Sequence, residues 1–472
     1  MKPRLPGAAH GALLASLLLV LYLGASFGLS GRADVRRYSS GILDMDVARV
    51  VADATGPRAA WRPSVHPLQK LLVAPFGALV ERALFAGRDP LGAARVLIAL
   101  FTAANALAAA ALARRLAGGA RAPALAAGLL CGVSFSSILA GAIPESAAFA
   151  ALAGTLPLVW LASHWERPFG RGEIWVWAGL AVLGLGLTVT QVAAVAIALG
   201  VRLGVSPGGR SGRARALWVP LVAALALAAA GLLQSRLYPG TPEPWRTSPL
   251  AGEAPYLRWD ALRREPLGHV ARLAGHFLVV DFAAPFPGYS DFLLRGGFDY
   301  WSLTLEGAHR ASGPAGRALA GLVALAVLAA LWRSPRRDPR FLAPALVLGW
   351  HLGLHALYGR EYVIYSPHWH GVLVALLVAG AWHGLGRRRA WLAPAAAVLA
   401  ALLLVNNLAV MRAIYREVAF GLEASRRDAE GGLRIRPPDA EGRLRVRPAG
   451  PAAPGPASPR TPLLPAAGAG RP

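Results

Sequence analysis

Four polar clusters interrupt a chain that is otherwise largely apolar, and they are where chemistry could be carried. The first is Gly41-Ile42-Leu43-Asp44-Met45-Asp46, followed by Arg49, Arg62 and His66-Pro67-Leu68. Two aspartates two residues apart can supply a general base or hold a divalent cation. The same pair also suits a solvated loop or a helix N-cap. The second cluster is Gly141-Ala142-Ile143-Pro144-Glu145-Ser146. There Glu145 can complement a helix dipole or orient a substrate hydroxyl, and Ser146 can cap. The third is Arg360-Glu361-Tyr362-Val363-Ile364-Tyr365-Ser366-Pro367-His368-Trp369-His370. An interfacial aromatic belt accounts for Tyr362, Tyr365 and Trp369. It accounts less well for Glu361 and His368, because ionisable groups at membrane depth are expensive and mark function. The fourth is a long segment holding His269, His276, Asp281, Asp291, Arg295, Asp299 and Tyr300, each compatible with a structural role.

The elements that position these clusters are membrane helices. Of the 472 residues, 55% are hydrophobic and 16% charged, against about 25% charged in soluble chains. The net charge of +24 is almost wholly arginine, since Lys2 and Lys70 are the only lysines. These arginines mostly fall in short runs between apolar segments, which is the topological signal of a membrane protein and not the footprint of a nucleic-acid binder. The single cysteine, Cys131, sits in an apolar segment and excludes both an intrachain disulfide and a thiolate metal site.

A helix of about 20 apolar residues crosses a hydrocarbon core of about 30 Å. Candidate spans are 11–29, 91–113, 122–140, 147–163, 216–234, 314–332, 341–357, 370–386 and 391–410. The first has the position of a signal peptide, but its length and the lack of a clean small-x-small site favour a retained helix. Segment 174–203 is too long for one span and is interrupted by Thr188, Thr190 and Gln191. If it turns back on itself, the arginine-rich short loops around residues 114–121, 210–215, 333–340 and 387–389 all share the cytoplasmic side. The expectation is an all-α polytopic protein of about eleven spans, N-terminus inside and C-terminus outside. The 30–66 segment, placed outside with six arginines, runs against that rule.

Residues 67–86 read as an amphipathic interfacial helix, with Leu68, Leu71, Leu72, Pro75, Leu79 and Ala83 at helical spacing and Lys70, Glu81 and Arg82 breaking the apolarity. A second interfacial helix is expected around Val270, Leu273, Ala274, Phe277 and Leu278 within an outer loop, 235–313. A transmembrane domain thus covers 1–410, with outer loops 30–89 and 235–313. The Pro- and Arg-rich tail 411–472 reads as disordered. Its repeat DAEGGLRIRP and DAEGRLRVRP offers a short β-hairpin as the other reading.

The order and common sidedness of these short motifs resemble the GT-C fold membrane glycosyltransferases, including the protein mannosyltransferase, aminoarabinose transferase and RgtA/B/C/D-like groups. The resemblance covers roughly residues 10–410. It rests on the acidic residues after the first span, His66-Pro67-Leu68 leading into an interfacial helix, Pro144-Glu145, a large late outer loop and the Tyr365-Ser366-Pro367-His368 turn. It implies sugar transfer from a polyprenyl-phosphate donor to a glycan, lipid or protein acceptor, on the outer face of a bacterial inner membrane. The family's acidic residue maps to Asp44 or Asp46, and Asp-Met-Asp departs from the common Asp-Glu pair. Asp46, with Asp44 beside it, is the expected base, and a divalent cation, if used, would lie on this pair. Arg62 and Arg360 suit the leaving phosphate, with His66 and His368 as donors and Glu145, Glu361 and Tyr365 lining the site.

A transporter or lipid-linked-saccharide flippase is the competing class. Such proteins usually show internal repeats and polar residues at mid-membrane depth. Here no half-to-half repeat is seen, and Gln191 and Asn105 are isolated polar residues within the spans. The sidedness is directly testable: cysteines introduced at Gly209 and Ser290 should react with impermeant reagents from opposite sides of the membrane, and reaction from one side only would overturn the topology.

Overall fold

The computed structural model describes residues 6–30, 35, 43, 45–57, 65–209, 212–239, 241, 256–284, 288–293, 299–304, 338–359, 362–429, 433–436 and 445–448. The chain forms two compact units, Met1–Ala419 and Phe420–Pro472. Among the described residues, the α-helices of eight residues or more are α1 (Pro6–Leu23), α2 (Val47–Thr55), α3 (Gln69–Phe85), α4 (Pro90–Leu116), α5 (Arg121–Val133), α6 (Phe135–Ala142), α7 (Ala147–Ser163), α8 (Arg171–Leu187), α9 (Val192–Gly204), α10 (Trp218–Leu237), α11 (Pro266–Gly275), α12 (Leu342–Leu357), α13 (Pro367–Gly384) and α14 (Leu392–Ala429). Two short antiparallel hairpins, β1 (Gly288–Leu293) with β2 (Asp299–Thr304) and β3 (Leu433–Arg436) with β4 (Arg445–Pro448), depart from the all-α expectation. Asp291, Asp299 and Tyr300 lie on the first hairpin, and Arg295 lies outside the described residues.

Helix α4 is the hub of the first unit. It packs against α1, α2, α3, α5, α6, α7 and α13, and its run of alanines lets neighbouring backbones approach closely. Four helical stretches among the described residues are long and apolar enough to cross a membrane: Ala9–Gly28, Pro90–Leu116, Arg213–Leu237 and Gly386–Ala419. The pair α5 and α6, bent by 59°, makes a fifth if counted as one broken span. The outer helices turn Leu17, Val20, Leu225, Leu232, Leu402 and Val405 outward. Apolar faces of this extent suit lipid and not water, so the chain is a helical membrane protein.

Segment 174–203 does fold back. As one straight helix it would hold Glu173 and Arg202 about 43 Å apart, yet Arg202 Nη2 donates to Glu173 Oε1 at 2.8 Å. The helices part at Thr188, which is extended (φ −161°, ψ 132°). The wholly buried guanidinium also donates to Ser206 Oγ and to the Trp165 and Arg167 carbonyls, so its charge is well partnered.

The interfacial reading of 67–86 finds its helix, but with an inverted face. Gln69 and Lys70 are buried, whereas Phe76, Leu79 and Leu84 face outward. Lys70 is drawn inward by the end of α2: its ammonium donates to the carbonyls of Ala52 at 2.9 Å, Asp53 at 3.0 Å and Gly56. A cation there satisfies orphan carbonyls and complements the helix dipole. Gly77 completes the contact, because a Cβ would collide with the Ala54 carbonyl oxygen. The second expected helix is found as α11 and the π-helical turn His276–Val280 after it, with Leu273 and Phe277 buried and Val270 exposed. The last helix runs past residue 410 to Ala429 because Met411, Ile414, Tyr415 and Val418 keep a buried stripe at helical spacing. In the second unit, the LRIR and RVRP runs pair as the hairpin reading proposed, Ile435 opposite Val446.

The break between α5 and α6 is partnered from a distance. The amides of Phe135 and Ser136 donate to the carbonyls of Phe282 and Asp281, and Asn407 Nδ2 donates to Val133 O at 2.9 Å and Phe282 O at 2.7 Å. Asp281 is wholly buried there and accepts from Trp369 Nε1 at 2.7 Å. Burial pushes its carboxyl well above the usual carboxylate range, opposed in part by hydrogen bonds from Trp369 and Ser366. A carboxyl raised in this way stays neutral in the fold after the unfolded chain has ionised. Its stabilising share is complete below a pH of about 4 and is lost as pH rises toward the folded value. Asp281→Asn keeps the oxygen for Trp369. Its thermal midpoint in detergent should match the wild type near pH 4 and exceed it increasingly toward pH 8; a pH-independent gap would contradict this account.

Candidate functional site

Helix ends converge on one cavity of about 440 Å³ in the first unit, within the usual range of small-molecule sites, about 300–1,000 Å³. Asp46 stands at the N-terminal end of α2. The helix is fixed by its buried face of Val47, Val50, Val51 and Ala54, and at its far end by Lys70 and Gly77. The Asp46 amide donates to Glu145 Oε2 at 2.7 Å. One turn on, Arg49 Nε donates to Asp46 Oδ2 at 3.1 Å. Its Nη2 lies 3.4 Å from Ser146 Oγ and 3.8 Å from Glu145 Oε1.

Glu145 occupies the turn between α6 and α7. Its Oε1 accepts from both the amide and the hydroxyl of Ser146 at 2.7 Å. The carboxylate thus serves the start of α7 and ties α2 to it. The Glu145 side chain is 8% exposed and that of Asp46 is 37%, so Asp46 is the carboxylate more open to the cavity.

A second wall forms where α8 ends. His66 Nδ1 lies 2.6 Å from the Leu187 carbonyl, so Nδ1 carries the proton and Nε2 the lone pair. The Val65 carbonyl accepts from Val189 N, and Leu68 N donates to Gly186 O. These bonds partner the broken helix and bring Thr188, Val189 and Thr190 to the cavity. A third wall comes from α12 and the turn after it. Residues 256–258 zip onto 357–359 through Arg258 N to Leu357 O and Gly359 N to Tyr256 O. Gly359 has φ +98°, and a Cβ there would lie 2.7 Å from the Tyr365 ring. This places Tyr256, His355, Tyr358, Tyr365 and His368 around the same space.

Of the residues singled out in the sequence, Asp46, His66, Glu145, Tyr365 and His368 line this cavity. Asp44, Arg62, Arg360 and Glu361 lie outside the described residues. His269 is placed structurally, with Nε2 2.8 Å from the Ala356 carbonyl. Arg49, noted in the first cluster without a role, also lines the cavity, as do Thr188, Thr190, Tyr256, His355 and Tyr358, which were not among the candidates. For His355 the available signal was its spacing from His351, four residues apart within an apolar span, where ionisable side chains are rare.

No protein-family model matches the chain, and no curated protein matches it in sequence.

The arrangement offers an accessible carboxylate on a rigid helix end, a guanidinium within reach of the same space, and several imidazole and phenol groups. Its keystone is Glu145. Glu145→Ala strands the Asp46 and Ser146 amides and is expected to cost about 1–3 kcal/mol, read as a lowered thermal midpoint in detergent. Glu145→Gln keeps an acceptor oxygen and should lose less; equal losses would show that these amides do not depend on it.

Proposed function

We propose that the protein is an integral membrane glycosyltransferase that moves a sugar from a polyprenyl-phosphate donor to an acceptor on the outer face of a bacterial inner membrane. The observation that carries this reading is the Asp46 carboxylate, held at the start of α2 in one cavity with Arg49, His66, Glu145, Tyr365 and His368. In this reading Asp46 takes the proton of the acceptor hydroxyl as its oxygen attacks the anomeric carbon. The bond from that carbon to the donor phosphate oxygen breaks, and the polyprenyl phosphate leaves. Arg49, with Arg62 and Arg360, meets the charge that develops on the phosphate. His66 and His368 add hydrogen bonds.

The outward apolar side of α3, which follows directly from His66-Pro67-Leu68, supports a lipid-borne donor: Phe76, Leu79 and Leu84 give it an exposed apolar face. The eleven-span, multi-pass topology with the cavity facing outward belongs to the same proposal.

Loss of a general base lowers the rate by about 10²–10⁴. Asp46→Asn, checked for normal membrane insertion, should therefore show such a fall in sugar release from a labelled polyprenyl-phosphate sugar. Near-normal turnover in both Asp46→Asn and Asp44→Asn would remove the pair from the mechanism. A flippase would move the labelled lipid without releasing its sugar.

A further inference from the structure

Three buried imidazoles meet at the edge of the cavity. His351 and His355 lie one turn apart on α12, their rings stacked at 6.0 Å with 8° between planes. His368, in the first turn of α13, has its ring 6.1 Å from that of His351 and 6.5 Å from that of His355. One ring nitrogen from each lies within 4.8 Å of the other two. His351 is 0% exposed, His355 1% and His368 7%. Both nitrogens of His351, Nε2 of His355 and Nδ1 of His368 are buried without a hydrogen-bond partner. Burying such groups unpaired is unfavourable, and a cluster of them side by side calls for a common partner.

We propose that His351, His355 and His368 bind one divalent transition-metal ion of the zinc class, with its remaining coordination position directed to the cavity. Three neutral imidazoles plus one open position is the ligand set of catalytic zinc sites. Imidazole suits zinc, copper, iron and nickel, whereas magnesium and calcium take oxygen ligands. A tetrahedral site with metal–nitrogen distances of about 2.0–2.1 Å sets the nitrogens about 3.4 Å apart. The rings therefore need to close by at most about 1.4 Å, within reach of side-chain rotation.

The surroundings fit. His355 Nδ1 lies 3.3 Å from the Tyr358 carbonyl, which places the proton on Nδ1 and the lone pair on Nε2, the atom left unpartnered. The Trp369 ring lies 4.8 Å from His355 and 5.8 Å from His351 and shields the cluster. His355 and His368 both line the cavity, so an ion on them meets whatever the cavity holds. Asp46, the other place a cation was expected, already faces the Arg49 guanidinium at 3.1 Å, a charge that a metal would have to displace.

The site stands whether or not the chain transfers sugar, and its test reads metal and not activity. Full-length protein purified in detergent without chelators should carry about one zinc-class ion per chain by elemental analysis. After stripping, it should bind one Co²⁺ with the visible absorption of a tetrahedral centre. His351→Asn and His355→Phe should abolish both signals. His370→Phe should leave them unchanged: His370 is buried nearby, also without partners, but packs edge-on to Phe282 at 4.7 Å and stands outside the cluster. Wild-type protein that neither carries metal nor takes up Zn²⁺ or Co²⁺ overturns the proposal. So does uptake that persists in both folded variants.

Discussion

The structure depends on how interrupted helices partner their ends inside an apolar bundle. A helix leaves four amides and four carbonyls unpaired at its termini, and lipid supplies nothing to bind them. The breaks near the cavity are met by side chains and backbone from neighbouring elements, some of them distant in sequence. Lys70 takes the carbonyls that end α2, and Glu145 takes the amides of Asp46 and Ser146. His66 and Leu68 take the carbonyls that end α8. Asp281, Phe282 and Asn407 serve the break between α5 and α6. The cavity is the space these breaks leave open, so the groups that line it are largely those that hold it together.

This explains why polar side chains in the bundle cluster and do not scatter. Helix α4 has few polar groups in its middle, and Asn105 there accepts from Thr155 Oγ1 at 2.8 Å. The helix α2, the turn at Glu145 and the turn after α12 carry ionisable groups into the cavity, where irregular backbone brings partners within reach. His351 and His355 stand out against this pattern, because both ring nitrogens of His351 and Nε2 of His355 are buried without partners.

Much of the site was legible because helical periodicity is local. Val47, Val50 and Val51 announce a helix starting at Asp46, and the short uncharged turn at Glu145 marks the start of α7. Thr188 and Thr190 announce a break in 174–203. What closes that break was not legible, because His66 is 121 residues from Leu187. Lys70 was misjudged for a different reason. A helical wheel assigns polar residues to the outside, but where the outside is lipid and a helix end lies inside, the preference reverses. Arg49 was visible but indistinguishable from the other loop arginines until its partners Asp46 and Ser146 were known. His351 and His355 vanish in an apolar average over 341–357 that is set by leucine and alanine.

The two carboxylates in the cavity differ in their partners, and on the proposed reading that difference separates their roles. Glu145 spends Oε1 on the amide and hydroxyl of Ser146 and Oε2 on the amide of Asp46, all at 2.7 Å. A base needs a lone pair that can turn toward the incoming proton, and withdrawing one of these oxygens would unpair a helix start. Asp46 receives Arg49 Nε on Oδ2 and has the more exposed side chain. Its backbone amide is held by Glu145 and its carboxylate by Arg49. Glu145 meets Asp46 at its amide and leaves its carboxylate to Arg49, so on the proposed reading Glu145 positions Asp46 and Asp46 acts as the base.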